Sequence, residues 1–152
     1  MIDRAYPHGI DYLWLACDKD HHVGAFVTGG VGPVPTAVLQ SDHAIAEAVE
    51  PDLSTLPRTG PARLLISIPR PDDFISLAER GLFVYDWCDV HRIARESTHV
   101  YECVAAPIVP TSVHDLPDAV AQLIAVVTLN SVSFASAMAI DVRAQTVCSE
   151  SN

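Results

Sequence analysis

The sequence predicts an α+β fold, a single domain with a mostly antiparallel or mixed sheet and about three helices. Apolar runs of strand length alternate with stretches of helical apolar spacing, and no internal repeat is present. A chain of 152 residues has the size of one domain and can bury a core without a disulfide or a metal. We expect this domain to span residues 1–145, with a flexible tail over 146–152.

The first predicted element is a β-hairpin. Residues 12–17 (YLWLAC) are apolar on both alternating faces, which indicates a strand covered on both sides. A second strand is predicted over 23–28, and the intervening DKDHH has turn composition. The charged centre therefore lies at the tip of the hairpin.

Three helices are predicted after the glycine-rich loop 29–35. The first begins with Ser41 as N-cap and ends before Pro51. The second, over 69–81, has Asp72 and Asp73 in its first turn and Gly81 at its end. The third covers 114–127, where apolar residues recur at helical spacing. Further strands are predicted at 63–68, 82–87, 100–107 and 131–140.

The charge balance restricts the classes of partner. Nine basic residues face nineteen acidic ones, for a formal net charge of −10. Such a chain repels nucleic-acid phosphates and favours a basic partner, so we expect no direct nucleic-acid binding. No apolar run reaches the roughly 18 residues of a membrane span, and the N-terminus lacks a signal pattern. We therefore expect no membrane association, a cytoplasmic location and reduced cysteines.

The sequence predicts no catalytic residue, metal or cofactor. Counted from Asp18, a calcium loop would need glycine and glutamate where Val23 and Gly29 stand. His21 and His22 are adjacent on a turn, so their rings should point apart. The motifs GxSxG, HExxH and GxGxxG are absent. We interpret DKDHH as a solvated turn.

Two stretches carry a family resemblance: YLWLACDKDHHVGAFVTGGVGPVP and RGLFVYDW. They resemble immunity proteins of bacterial polymorphic toxin and contact-dependent growth inhibition systems. The shared pattern is W-L-x-x-D-x-D-G-x-V-x-x-F, a G-P-x-P loop and G-L-(F/Y)-x-Y-D-W, and it covers about half of the chain. His21 stands where the group has glycine, which suits a left-handed turn position. The matching residues are Trp14, Asp18, Asp20, Val23, Phe26, Gly32, Pro33, Pro35, Gly81, Leu82, Tyr85, Asp86 and Trp87.

The resemblance implies that the protein binds and neutralises a cognate toxin domain, has no enzymatic activity of its own, and occludes the toxin's active site. Many such toxins are basic nucleases, and acidic side chains beside an aromatic residue would bind them. The predicted contact residues are Asp72, Asp73, Asp86, Trp87 and Asp89. Another interpretation places Trp87 in the core and assigns Asp72 and Asp73 to the helix dipole.

Two other functions are compatible with the sequence. One is a small cytoplasmic hydrolase or ligand-binding domain that uses dispersed cysteine, histidine and aspartate residues, for which a deep pocket lined by such groups would be the sign. The other is a scaffold subunit, since an apolar fraction of 49% leaves room for an oligomer interface.

Overall fold

The predicted hairpin forms strands β1 (Leu13–Asp18) and β2 (Val23–Val27). They pair antiparallel with Trp14 opposite Phe26. The structure is a computed structural model, and it describes residues 5–41, 53–67 and 70–149. Every residue of β1 is buried, which confirms that the strand is covered on both faces. The hairpin contributes two adjacent interior strands of the sheet.

The remaining strands are β3 (Val34–Pro35), β4 (Ala62–Leu64), β5 (Phe83–Asp86), β6 (Tyr101–Pro107), β7 (Thr128–Leu129), β8 (Ala139–Ile140) and β9 (Cys148–Ser149). A mixed seven-stranded sheet runs through the described part of the single domain in the order β4-β6-β5-β2-β1-β7, with β8 also paired to β6. The pairs β2–β5 and β1–β7 are parallel and the others are antiparallel. This confirms the predicted fold class.

The described α-helices are α1 (Thr36–Gln40), α2 (Asp72–Glu79) and α3 (Asp118–Ile124). Helix α2 confirms the helix predicted over 69–81, of which residue 69 lies outside the described ranges. Gly81 follows α2 with a φ of 93°, a conformation that glycine adopts without strain. Helix α3 confirms the third predicted helix and buries its apolar side. The helix predicted from Ser41 to 50 lies outside the described residues, except for Ser41 itself, which ends α1.

The two faces of the sheet carry different side chains. Aromatic rings fill one face, where the Phe26 ring stacks on Trp14 at 4.1 Å and on Tyr85 at 5.0 Å between centroids. On the other face Ala78 of α2 packs against Val84 and its neighbours. Offset and edge-to-face ring pairs add about 0.5–1.5 kcal/mol each beyond the burial of apolar area. The apolar contacts on this second face therefore hold α2 against β5 and β6.

Three predicted segments differ from the structure. The strand predicted over 131–140 is reduced to Ala139–Ile140, because Phe134 donates its backbone N–H to the Asp18 side chain and not to a neighbouring strand. Within the predicted tail, Cys148–Ser149 forms a short strand that pairs antiparallel with Val34–Pro35. The strand predicted over 63–68 extends only over Ala62–Leu64.

None of the helices in the described ranges has both the length and the apolar character that a bilayer span requires.

Candidate partner-binding surface

Asp18 organises the tip of the hairpin. Its Oδ1 accepts hydrogen bonds from the backbone N–H groups of Asp20 and His22, both at 2.9 Å. Its Oδ2 accepts the N–H of Phe134 at 2.7 Å, and the residue is only 1% exposed. His21 adopts the left-handed conformation with a φ of 64°, the position where the resembled group has glycine. The DKDHH segment therefore makes the turn and joins it to the loop before β8.

The same tip holds the described residues best placed to bind a cation. One ligand atom each from Asp18, Asp20 and His22 lies within 4.8 Å of the others. Both oxygens of Asp18 already accept backbone N–H groups, however, and Oδ2 of Asp20 accepts the hydroxyl of Ser133 at 2.8 Å. The requirements of the turn and its connecting loop account for this geometry.

The two adjacent histidines point apart, as their positions on the turn predict. The ring of His21 lies 4.7 Å from that of His114, whereas the ring of His22 lies 5.7 Å from Phe83. Ser133 donates directly to Asp20, an arrangement that places no histidine between the hydroxyl and the carboxylate. Nothing at the described tip therefore forms a serine–histidine–aspartate relay.

The buried cysteines have the properties of inert thiols. Cys17, Cys88 and Cys103 are buried. Burial raises the pKa of Cys17 and of Cys88, and it raises the pKa of Cys103 to about 11. A cysteine nucleophile requires a lowered pKa, because the thiolate is the reactive form. These three thiols therefore do not support the hydrolase interpretation.

Asp86 and Trp87, two of the predicted contact residues, are buried at the end of β5 with exposures of 9% and 7%. Burial and then the negative charge of Asp11 raise the pKa of Asp86, whose Oδ2 receives a thiol hydrogen bond from Cys88 at 3.7 Å. The Trp87 ring packs at 5.1 Å on Tyr101. The prediction that these two side chains face a partner is therefore corrected, because neighbouring strands and loops cover them.

The carboxylate of Asp89 also makes its hydrogen bonds within the protein. Its Oδ1 accepts the N–H of Thr98 at 2.8 Å and its Oδ2 accepts the N–H of His99 at 2.7 Å. Arg92 donates to it at 3.2 Å and also lies 2.8 Å from an oxygen of Glu102. Burial alone would raise the pKa of Asp89, but these hydrogen bonds lower it. The residue orders the segment between β5 and β6, so its predicted role as a contact residue is corrected too.

Asp72 and Asp73 are exposed in the first turn of α2, where negative charge complements the helix dipole. Asp73 also borders a small depression between α2 and the start of β1, with a cavity volume of about 120 Å³. We call this depression the acidic cleft. Its lining residues are Asp11, Tyr12, Leu13, Val27, Asp73, Phe74 and Leu77.

A second depression of about 250 Å³ adjoins the acidic cleft through the shared residues Leu13, Asp73 and Leu77. It extends along α2 to Arg80, whose Nε donates to the carbonyl of Leu56 at 3.0 Å. The two depressions together form a groove beside α2. Its one end carries the carboxylate of Asp11, and at its other end the guanidinium of Arg80 is hydrogen-bonded within the protein.

The contribution of Asp11 to this surface was missing from the sequence prediction. Asp11 precedes β1, and its Oδ1 accepts the N–H of Gly29 at 2.9 Å. No local motif marks it, because its proximity to Asp73 arises only when α2 packs beside the hairpin. Of the predicted contact residues, Asp72 and Asp73 are the exposed ones, and Asp73 alone lines the acidic cleft.

Comparison of the chain with protein-family models, with curated proteins and with solved structures gave no match.

Proposed function

We propose that this protein is an immunity protein, which binds a cognate basic toxin domain and neutralises it by covering its active site. The observation that carries this proposal is an exposed acidic cleft on a chain with a net charge of −10. The resemblance in the sequence supports the same class. In the fold its motif residues serve the turn and the core, as Asp18 and Trp14 do, so they argue for a shared scaffold and leave the contact surface open.

Electrostatics explains how such a protein would act. A toxin that cleaves nucleic acid needs a basic cleft, and carboxylates can occupy the positions of the phosphates there. Close charge pairs across the barnase–barstar interface, a well-measured complex of this kind, couple by about 1.5–7 kcal/mol. Inhibition by this route requires complementary charge and shape, and it requires no chemistry on the inhibitor.

The test is co-expression with the polypeptide encoded immediately upstream of this chain. We expect that polypeptide to stop growth when expressed alone, and we expect this protein to restore growth and to co-purify with it. An unrelated acidic protein of similar size and net charge serves as the control, since charge alone should not rescue growth. Persistent toxicity together with the absence of a complex would rule the proposal out.

A further inference from the structure

We infer that the acidic cleft receives one lysine or arginine side chain of a protein partner, and that it is the centre of the toxin contact. This inference rests on the proposed function, because it identifies the partner's contact chemistry at a specific place. The proposed contact residues are therefore Asp11 and Asp73. Asp86 and Trp87 are buried, and Asp89 accepts backbone hydrogen bonds from Thr98 and His99.

The lining of the acidic cleft matches the two parts of a basic side chain. Its floor contains the buried apolar residues Tyr12 and Leu13, with Leu77 of α2 at the side. Its rim carries the exposed carboxylates of Asp11 and Asp73. Lysine and arginine place an apolar stem along such a surface while the charged end remains at the rim. A purely apolar occupant would leave the rim carboxylates without a partner, and an acidic occupant would be repelled by them.

The size of the acidic cleft favours a side chain as its occupant. Pockets for drug-sized ligands and cofactors commonly measure about 300–1,000 Å³. The 120 Å³ of the acidic cleft is below that range and suits the end of one long side chain. The adjoining depression of about 250 Å³ leads to Arg80, whose positive charge would repel a cation, so the cation is expected at the carboxylate end.

The charges around the acidic cleft are not neutralised by the described residues. Asp11 and Asp73 form no ion pair with any residue in the described ranges. The nearby cation, Arg80, donates to the carbonyls of Leu56 and Ser76, at 3.0 and 3.1 Å, so its charge is already held at the far end of the groove. A cation entering the acidic cleft would therefore meet two carboxylates that have no ion-pair partner among residues 5–41, 53–67 and 70–149.

The carboxyl group of Asp86 belongs to the strand position next to the acidic cleft. Val27 of the cleft lining is the partner of Asp86 in the β2–β5 pairing, and burial and then the charge of Asp11 raise the pKa of Asp86. A positive charge bound in the acidic cleft would favour the ionised form that these two effects disfavour.

The test compares two double variants with the same change in net charge. Asp11→Asn with Asp73→Asn removes both rim charges and retains an oxygen that can accept the N–H of Gly29. Asp115→Asn with Asp118→Asn removes two exposed carboxylates that do not line the acidic cleft. Urea denaturation of both variants checks that each one folds.

The first probe is a hexalysine amide, titrated into the isotopically labelled protein and followed by amide chemical shifts. We expect the largest shifts at Asp11, Leu13 and Asp73, their loss in the cleft variant and their retention in the control. Shifts spread over the acidic surface, shifts equal in both variants, or no binding would overturn the inference. This probe does not depend on any toxin.

The second probe is the upstream-encoded polypeptide in a catalytically inactive form, measured by calorimetry. We expect the cleft variant to bind at least about tenfold more weakly and the control to remain within about twofold. Tight binding that is unchanged in the cleft variant would overturn the inference while the proposed function survives. If the wild-type protein does not bind the polypeptide, this result counts against the proposed function. The hexalysine titration would then still show whether the acidic cleft binds a basic side chain.

Discussion

Asp89 and Asp86 lie close together in the chain, yet their carboxylates have opposite surroundings. Asp89 accepts two backbone N–H groups and an arginine, whereas the more deeply desolvated Asp86 has a long thiol hydrogen bond from Cys88 and a minor contribution from the backbone of Trp87. A charge with such partners stabilises the fold, and a buried charge without them costs stability. The pKa shifts of the two groups, lowered for Asp89 and raised for Asp86, reflect this difference.

Replacing Asp89 by alanine should lower the free energy of unfolding by about 2–3 kcal/mol. The change leaves the N–H groups of Thr98 and His99 without their acceptor and removes one partner of Arg92. Urea denaturation would measure the loss. Asp115→Ala, at an exposed position, should shift the value by less than about 0.5 kcal/mol, and an equal effect of both changes would contradict the assigned role.

Replacing Asp86 by asparagine should stabilise the protein at neutral pH. Because the pKa of Asp86 is higher in the folded than in the unfolded state, folding stability falls as pH rises from the unfolded pKa to the folded pKa. The asparagine variant has no carboxyl group at this position, so its folding stability does not fall with pH for this reason. Urea unfolding between pH 4 and pH 8 should show its advantage over the wild type growing with pH until the folded pKa is passed. An advantage that does not vary with pH would show that the charge of Asp86 is not the cause.

At the tip of the hairpin, histidine replaces the glycine of the resembled group at a position where the backbone is left-handed. His21 occupies a left-handed position at the tip of β1–β2, and such a conformation costs most residues roughly 1–2 kcal/mol. The resembled group has glycine at this place, which avoids the steric conflict. The contact of His21 with the ring of His114 offsets part of the cost.

The change His21→Gly should therefore raise the free energy of unfolding by about 0.5–1 kcal/mol. His21→Ala is the matched control, because it also removes the contact with His114 but retains the Cβ that makes the left-handed conformation unfavourable. Thermal or urea unfolding should rank glycine above alanine. The reverse order would mean that the backbone of residue 21 is not strained.

At the scale of the whole molecule the excess of acidic residues should govern the rate of association. With a net charge of −10, the protein should attract a basic partner over a distance comparable to the Debye length, about 10 Å at 0.1 M salt and 3 Å at 1 M. Stopped-flow measurements with the upstream-encoded polypeptide should show an association rate that falls steeply with added salt. The dissociation rate serves as the internal control, since it should change much less. An association rate independent of salt would contradict electrostatic steering.

Local pattern was sufficient to predict most of the elements. Alternating apolar residues with a polar turn define the β1–β2 hairpin, and aspartates at the start with glycine at the end define α2, because these signals come from backbone geometry within a few residues. The same locality explains why Asp72 and Asp73 were correctly expected on an exposed first turn. It also explains the errors over 131–140, where a distant carboxylate, that of Asp18, binds the backbone that a strand would have used.

The sequence by itself determined the fold class, the hairpin, the α2 helix and the acidic character of the surface. Only the tertiary structure decided which acidic residues remain available to a partner: it covers Asp86, binds Asp89 to the backbone of a neighbouring loop and places Asp11 beside Asp73. The physical reason is that burial depends on which segments pack together. That packing brings together residues that are far apart in the chain, and the periodicity of apolar residues along the sequence does not predict such contacts.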